Sequence, residues 1–249
     1  MLIQATLDGL KVLKLHGMLS ALEAQMSSPD VGTLSFEERL GMLVDNEITS
    51  RDNRQTSMRL KLAKLTNASS IEEFDTRKTR GVERAEIVSL ATSDWLRRKQ
   101  NVIVQGPTGV GKSFLASALA HKACRDGFSV YFERSSRLFQ ELSIARADGR
   151  YRKLLSTIAG KDLLVIDDFG LFPLTEEQQQ DLMELVEDRY ARKSILITAQ
   201  LPVDHWHGVI GEPTTSDAIL DRIVHNAHKI NLKGESIRKE KRNEMQLAG

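Results

Sequence analysis

No run of apolar residues in this 249-residue chain approaches the length that spans a bilayer, and no basic stretch of the kind that opens a secretory leader stands at the N-terminus. The expectation is a cytoplasmic protein with no membrane partner. Cysteine is nearly absent. The lone Cys124 leaves no intramolecular disulfide, and its setting inside an expected helix predicts a buried small apolar residue rather than a reactive thiol. Net charge is nearly absent too: 35 Lys and Arg against 34 Asp and Glu give +1, so any attraction to nucleic acid must come from local patches. Internal repeats and low-complexity segments are missing. What remains, 41% hydrophobic and 28% charged, is ordinary for a globular protein with one large domain, or one domain and a small appendage.

What is present is organised around Gly106-Pro107-Thr108-Gly109-Val110-Gly111-Lys112-Ser113, which matches every fixed position of the phosphate-binding pattern G-x-x-x-x-G-K-[ST]. The glycines let backbone N–H groups turn toward phosphate oxygens. Lys112 supplies charge to the β- and γ-phosphates, and Ser113 an oxygen for Mg²⁺. The context is the required one: an apolar strand, Val102 to Gln105, leads in, and a helix, Ser113 to Arg125, leads out with its positive dipole end toward the phosphates.

From there strands and helices alternate. Val130–Phe132, Leu163–Ile166, Ile195–Ile197 and Lys229–Leu232 read as further strands, with helices over Ser135–Ala147, Thr175–Ala191 and Asp217–Asn226 between them. This is the pattern of a parallel sheet covered on both faces. The first eighty residues differ. Leu15, Met18, Leu19, Leu22 and Met26 recur at helical spacing, and Ser35 with Glu38 forms a capping-box pattern that opens a second helical face through Leu40, Leu43, Val44 and Ile48. No Gly or Pro interrupts 42–80, so a long helix or a pair extends to about Leu65. A helix over Ile87–Leu96 precedes the first strand, and the polar stretch 77–86 is the expected boundary between a helical domain, 1–80, and a nucleotide domain, 81–249.

Four apolar residues followed by Asp167-Asp168 form a Walker B strand, because Mg²⁺ prefers hard oxygen ligands and bridges the β- and γ-phosphates. Asp167 suits the metal; Asp168 suits orienting or deprotonating a water. Polar residues at the end of the next strand offer a water-holding side chain, Gln200 or alternatively Thr198. Arg222 could reach a neighbouring subunit's γ-phosphate or equally pair with Asp221 or Asp217. Arg238 could contact phosphate in its own subunit. Arg51, Arg54, Lys61 and Lys64 occupy an arc of roughly 140° on one helix face, suited to a phosphate backbone or simply to solvent. No aromatic platform accompanies them, so base stacking is not suggested. Further basic residues, Arg134, Arg137 and Arg150 among them, cluster elsewhere.

The motifs together resemble the IstB-type transposition helper ATPases, a branch of the AAA+ superfamily close to the DnaC helicase loaders. Besides Gly106–Ser113, the resemblance is carried by Leu163–Gly170, Ile197–Trp206, Asp217–His228, Lys233–Lys239 and the helical front end, 15–54. It implies a five-stranded AAA+ core preceded by a small all-helical domain, ATP and Mg²⁺ as cofactors, and ATP-dependent homo-oligomeric assembly on duplex DNA with delivery of a transposase. It assigns the P-loop to ATP, Asp167 to Mg²⁺ and Arg222 to an arginine finger, and it favours DNA contact by Arg51, Arg54, Lys61, Lys64, Arg134, Arg137 and Arg150. Two positions depart from the AAA+ pattern: Asp168 stands where Glu is usual, and Gln200 where the sensor is usually Asn. A helicase loader is the alternative reading; a small-molecule P-loop kinase is a third.

Overall fold

The computed structural model describes residues 2–65, 69–74 and 81–237. The chain divides into two compact units, residues 1–58 and 59–249. The stretch 77–86 therefore falls partly outside the described residues.

Three helices account for most of the first part: α1 (Leu2–Val12), α2 (His16–Ser27) and α3 (Phe36–Leu62). The capping box is formed. Glu38 N–H donates to Ser35 Oγ and Ser35 N–H returns to Glu38 Oε2. The start of α2 is held differently, by buried Glu47 of α3, whose Oε2 accepts from the N–H groups of Gly17 (2.7 Å) and Met18 (3.2 Å). A carboxylate at a helix N-terminus satisfies orphan donors and complements the dipole. Gly17 is needed because a Cβ there would collide with the backbone of Asn46 and Glu47. The buried positions of α2 are accordingly Gly17, Ala21 and Gln25, whereas Met26 and, on α3, Leu40, Val44 and Ile48 are exposed. The helices form as the periodicity predicts, but close approach at Gly17, not the apolar face, selects the buried side of α2.

The expected helix over 87–96 is two pieces, α4 (Arg84–Ala91) and α5 (Asp94–Arg97). Ser93 between them turns left-handed (φ 58°), while the Thr92 hydroxyl bonds back to Ser89 O and accepts the N–H of Asp94. Short hydroxyl side chains compete in this way with helix continuation.

The second part is a five-stranded parallel sheet. Its strands are β1 (Asn101–Gln105), β2 (Val130–Arg134), β3 (Leu163–Phe169), β4 (Ser194–Ala199) and β5 (Ala227–Asn231), in the spatial order β2-β3-β4-β1-β5. Helices α6 (Lys112–Arg125), α7 (Ser135–Ala147), α8 (Tyr151–Ala159), α9 (Glu176–Arg189), α10 (Trp206–Ile210) and α11 (Pro213–Val224) connect them. Alternate strand residues enter opposite cores. Val102, Val104, Leu163, Val165, Leu196 and Ile230 face α6, and Ile103, Leu164, Ile166, Ile195 and Ile197 face α7–α11. Burial on both faces is why these strands read as unbroken apolar runs. Cys124 lies in the α6 core, and burial pushes its thiol up to about 11.

Helix α8 is not among the elements expected from sequence. Its basic start, Arg150, Arg152 and Lys153, reads as a surface cluster, although Leu155 and Ile158 anchor it in the second core. Below it, fully buried Arg189 donates to the carbonyls of Ile158 (2.8 Å), Lys161 (3.0 Å), Asp162 (3.3 Å) and Ser194 (2.6 Å). One guanidinium thus ties the end of α8 to the starts of β3 and β4. Helix α11 begins at Pro213 rather than at Asp217, because the Glu212 carboxylate caps the N–H groups of Thr214 and Thr215. Among the described residues no helix is long and apolar enough to cross a membrane.

Candidate functional site

The P-loop lies at the carboxyl end of β1, pinned by the chain that follows β5. Leu232 N–H donates to Gln105 O (2.8 Å) and Ile237 N–H to Gly109 O (3.0 Å). A Cβ at Gly106, whose φ is +149°, would run into the Leu232 carbonyl, so this position requires glycine. The loop, Phe114, Arg134, Asp168, Gln200 and Ile237 enclose a cavity of about 320 Å³. Lys112 is buried, and its Nζ donates to Pro107 O (2.8 Å). Burial lowers its pKa, against the pull of Asp168 and Asp167.

The acids reach the cavity through an irregularity in β3. Ile166 pairs with Ile197 and Phe169 with Ala199, so Asp167 and Asp168 together face the single residue Thr198. This is a β-bulge, and Asp168 takes the left-handed backbone it needs (φ 56°). The Thr198 hydroxyl closes the gap: it accepts Asp168 N–H (2.9 Å) and donates to Asp167 Oδ1 (2.6 Å). Burial raises the Asp167 pKa, with the Thr198 hydrogen bond and the neighbouring Ser113 hydroxyl opposing it. Asp167 is almost wholly enclosed, whereas Asp168 lines the cavity. Gln200 lies across the P-loop, its Oε1 accepting from Thr108 Oγ1 (2.9 Å).

Ser113 and Asp167 present adjacent hard oxygens on a buried wall. That donor set suits Mg²⁺, which takes one or two protein oxygens together with substrate phosphates.

Arg222 stands elsewhere. Its backbone and that of Ile223 are held by Asn101, the first residue of β1, while the P-loop follows the last, about 13 Å along the strand. Its guanidinium donates to Ala218 O (2.9 Å) and pairs with Glu187 Oε1 (3.0 Å), not with Asp217 or Asp221. Arg238 lies outside the described residues.

The DNA candidates separate. Lys64 lies beyond the end of α3, at φ 57°, and its ammonium meets Glu133 (2.9 Å) and Glu141 (3.0 Å), so it does not continue the helical arc. Arg51 pairs with Glu47 (2.7 Å), Arg137 with Glu133 (3.8 Å) and Arg150 with Asp148. Arg54 and Lys61 are exposed. Arg134 ends β2 beside Asp167 and lines the P-loop cavity. The family resemblance favours it for DNA contact; the signal for its place on the cavity is its position at a strand's carboxyl end. Sequence reasoning also misses the bridging role of Thr198, for which a polar residue between β4 and the acid pair is the only cue.

The strand order and the P-loop cavity at the sheet's carboxyl edge define a P-loop protein with an AAA+ core. The signature of the IstB-like ATP binding protein family matches residues 8–245, and the chain belongs to that family. It is 48% identical over 242 residues to an insertion sequence ATP-binding protein, y4pL, of Sinorhizobium fredii (strain NBRC 101917 / NGR234), covering 97% of this chain and 99% of that one. It is also 43% identical over 203 residues to the insertion sequence IS1162 ATP-binding protein of Pseudomonas fluorescens, covering 81% and 88%. Among solved structures, the DnaC helicase loader superposes with a TM-score of 0.56 at 17% identity, over 68% of this chain and 99% of that chain. DnaA bound to AMPPCP and single-stranded DNA gives 0.57 at 18% identity, over 73% and 56%. These last two likenesses show the fold alone.

Proposed function

We propose that this protein is a Mg²⁺-dependent ATPase that assembles as a homo-oligomer on duplex DNA and recruits or stimulates a transposase, with hydrolysis resetting the assembly. One observation carries the reading. The P-loop, Asp168 of the bulged acid pair and Gln200, far apart in sequence, converge on one cavity, while Arg222 is turned away from it at the other end of β1. A γ-phosphate site from which the chain's own Arg222 is turned away is suited to receiving that residue from a second copy, in addition to the Arg134 already on the cavity.

In this reading Lys112 exchanges the Pro107 carbonyl for phosphate oxygens, and Ser113 and Asp167 would hold Mg²⁺, which would supply charge neutralisation to the phosphates when bound. Asp168 orients a water and takes its proton as the water oxygen bonds to the γ-phosphorus and ADP leaves. Gln200 holds the same water from the opposite wall. Arg134, on that cavity, adds a positive charge beside the phosphates. Arg54 and Lys61, with Arg51, Lys64, Arg137 and Arg150, supply DNA phosphate contacts; the side chains of the cations already paired are each more than half exposed and present donors to a phosphate backbone. The helical front end, 1–80, meets DNA or partner and the remainder binds nucleotide, in the cytoplasm. The relatives' names, which place them in insertion sequences and call them ATP-binding, support the transposition context.

The test is sedimentation with ATP, Mg²⁺ and duplex DNA, alongside phosphate release. Assembly that needs both ATP and DNA, with turnover, is expected. A protein that stays monomeric, or that binds ATP without hydrolysing it, overturns the reading.

A further inference from the structure

Glu133, on the edge strand β2, is a buried carboxylate whose two oxygens serve different neighbours. Its Oε2 accepts from the Lys64 ammonium (2.9 Å), and its Oε1 accepts the backbone N–H of Arg134 (3.1 Å). Among the described residues its other cation is Arg137, 3.8 Å from that same Oε1. Lys64 also donates to Glu141 (3.0 Å), which takes the Tyr131 hydroxyl on its second oxygen (2.8 Å). The Glu133 hydrogen bond holds the Lys64 pKa above its ordinary value.

Arg134 is where this cluster meets the nucleotide cavity. It ends β2 in register with Asp167, immediately precedes α7 and lines the P-loop cavity. Its N–H donates to the Glu133 carboxylate, which thereby restrains the backbone of a cavity residue. A buried carboxylate that loses its close cation is left as an uncompensated charge. Without Lys64 the remaining cation is Arg137, and closing that 3.8 Å gap draws Oε1 away from the Arg134 N–H. The Lys64 side chain is 54% exposed, and an ammonium has three donors, so two acids leave one for an acceptor on the solvent side.

We propose that Glu133 is a positioning residue for Arg134 and that Lys64 holds it in place, so that a surface lysine sets the affinity of the P-loop cavity for ATP. A DNA phosphate on the third donor of Lys64 steadies the same chain of contacts. That last step rests on the DNA-binding reading; the rest needs only nucleotide binding.

The measurement is equilibrium binding of a fluorescent ATP analogue to the full chain without DNA. Lys64→Met, which keeps the length and removes the charge, should weaken binding about fivefold, the scale of one hydrogen bond; Lys64→Arg should bind as the wild type does. Adding Glu133→Gln to Lys64→Met should restore the affinity, because a neutral amide needs no cation and still accepts the Arg134 N–H. In an Arg134→Ala chain, Lys64→Met should cause no further loss. Circular dichroism reports folding, and if Lys64→Met does not fold, Glu133→Ala, which leaves no unpaired acid, should show the same loss and the same dependence on Arg134. The proposal is overturned if the folded variant binds ATP as the wild type does, if Glu133→Gln does not rescue Lys64→Met, or if the losses at Arg134 and at its partner simply add. Saturating duplex DNA should tighten ATP binding by up to about fivefold in the wild type and not in Glu133→Gln. Equal tightening in both overturns the step to DNA, whereas a chain that binds no DNA overturns the DNA-binding reading and leaves the nucleotide measurements to decide the positioning role.

Discussion

Thr198 is hydrogen-bonded to Asp167 at 2.6 Å, and the same hydroxyl accepts the N–H of Asp168 at 2.9 Å. The single proton of Thr198 is thus directed at one acid while its lone pair holds the backbone of the other. Both acids are set by a side chain on the neighbouring strand. Replacing Thr198 with Val keeps the shape and removes the hydroxyl, leaving a buried carboxylate and an unpaired N–H. A stability loss of about 1–3 kcal/mol is expected, with turnover reduced more than ATP affinity. Thr198→Ser should restore both. Equal turnover in the Val variant would show that the bulge keeps its geometry without Thr198.

Lys112 is bound to its own loop, at Pro107 O, in a buried setting that lowers its pKa. Phosphate must supply more than that carbonyl does, which a charge-assisted hydrogen bond achieves. Lys112→Ala is expected to weaken ATP binding by about a hundredfold, the scale of a strong charged interaction. Equilibrium binding of a fluorescent ATP analogue checks this, and assembly on DNA should fail in the same variant.

Arg134 and the pair Arg54 and Lys61 separate two uses of positive charge. Arg134 lines the P-loop cavity, so Arg134→Ala should weaken ATP binding about tenfold and leave the salt dependence of DNA binding as it was. Arg54→Ala with Lys61→Ala should instead reduce the slope of log affinity against log salt by about two, one for each phosphate no longer neutralised, and leave ATP binding alone. Binding measured across a salt series decides both. An Arg134 variant that flattens the salt slope would return this residue to a DNA surface.

The parts of the P-loop cavity differ in how legible they are in the sequence. Gly106–Ser113 and Asp167-Asp168 can be read because their chemistry depends on local spacing, and the strands because burial on both faces writes itself as apolar runs. The Ser35–Glu38 box is readable for the same reason. Thr198, Arg134 and Arg189 are not, since each takes its role from a residue on another strand or helix. The face of α2 is misjudged from periodicity because Gly17 and the Glu47 carboxylate, not apolar spacing, decide which side is buried.

Asp162 joins three elements: it accepts from Ser129 N–H (2.9 Å), Ser129 Oγ (2.8 Å) and Lys193 Nζ (2.6 Å). Burial works against the charged form, but the Lys193 and Ser129 bonds outweigh it and bring the pKa to about 2, from 3.8. A folded-state pKa below the unfolded one means that the stabilisation is complete above the unfolded value and is lost as pH falls through the folded one. Urea midpoints should therefore decline between about pH 4 and pH 2, and Asp162→Asn should lower the midpoint at neutral pH while flattening that decline. An unchanged acid slope in Asp162→Asn would place the titration elsewhere.

Glu187 holds Arg222 on its own protomer at 3.0 Å, and the Ala218 carbonyl takes a second guanidinium nitrogen at 2.9 Å. If Arg222 serves a neighbour's γ-phosphate, it must first leave Glu187. Glu187→Gln removes the charge that retains it, so turnover in the assembled state should rise, by about two- to fivefold if a pair of up to roughly 1 kcal/mol is lost. Arg222→Ala should bind ATP normally and turn over hardly at all. Mixing it with Lys112→Ala distinguishes the direction of action: the Arg222 variant retains an intact P-loop, the Lys112 variant an intact arginine, and together they make one competent junction. Recovered phosphate release is expected in the mixture, where ATP held by the Arg222 variant joins the two; its absence, with the two variants co-sedimenting, would assign Arg222 to its own subunit.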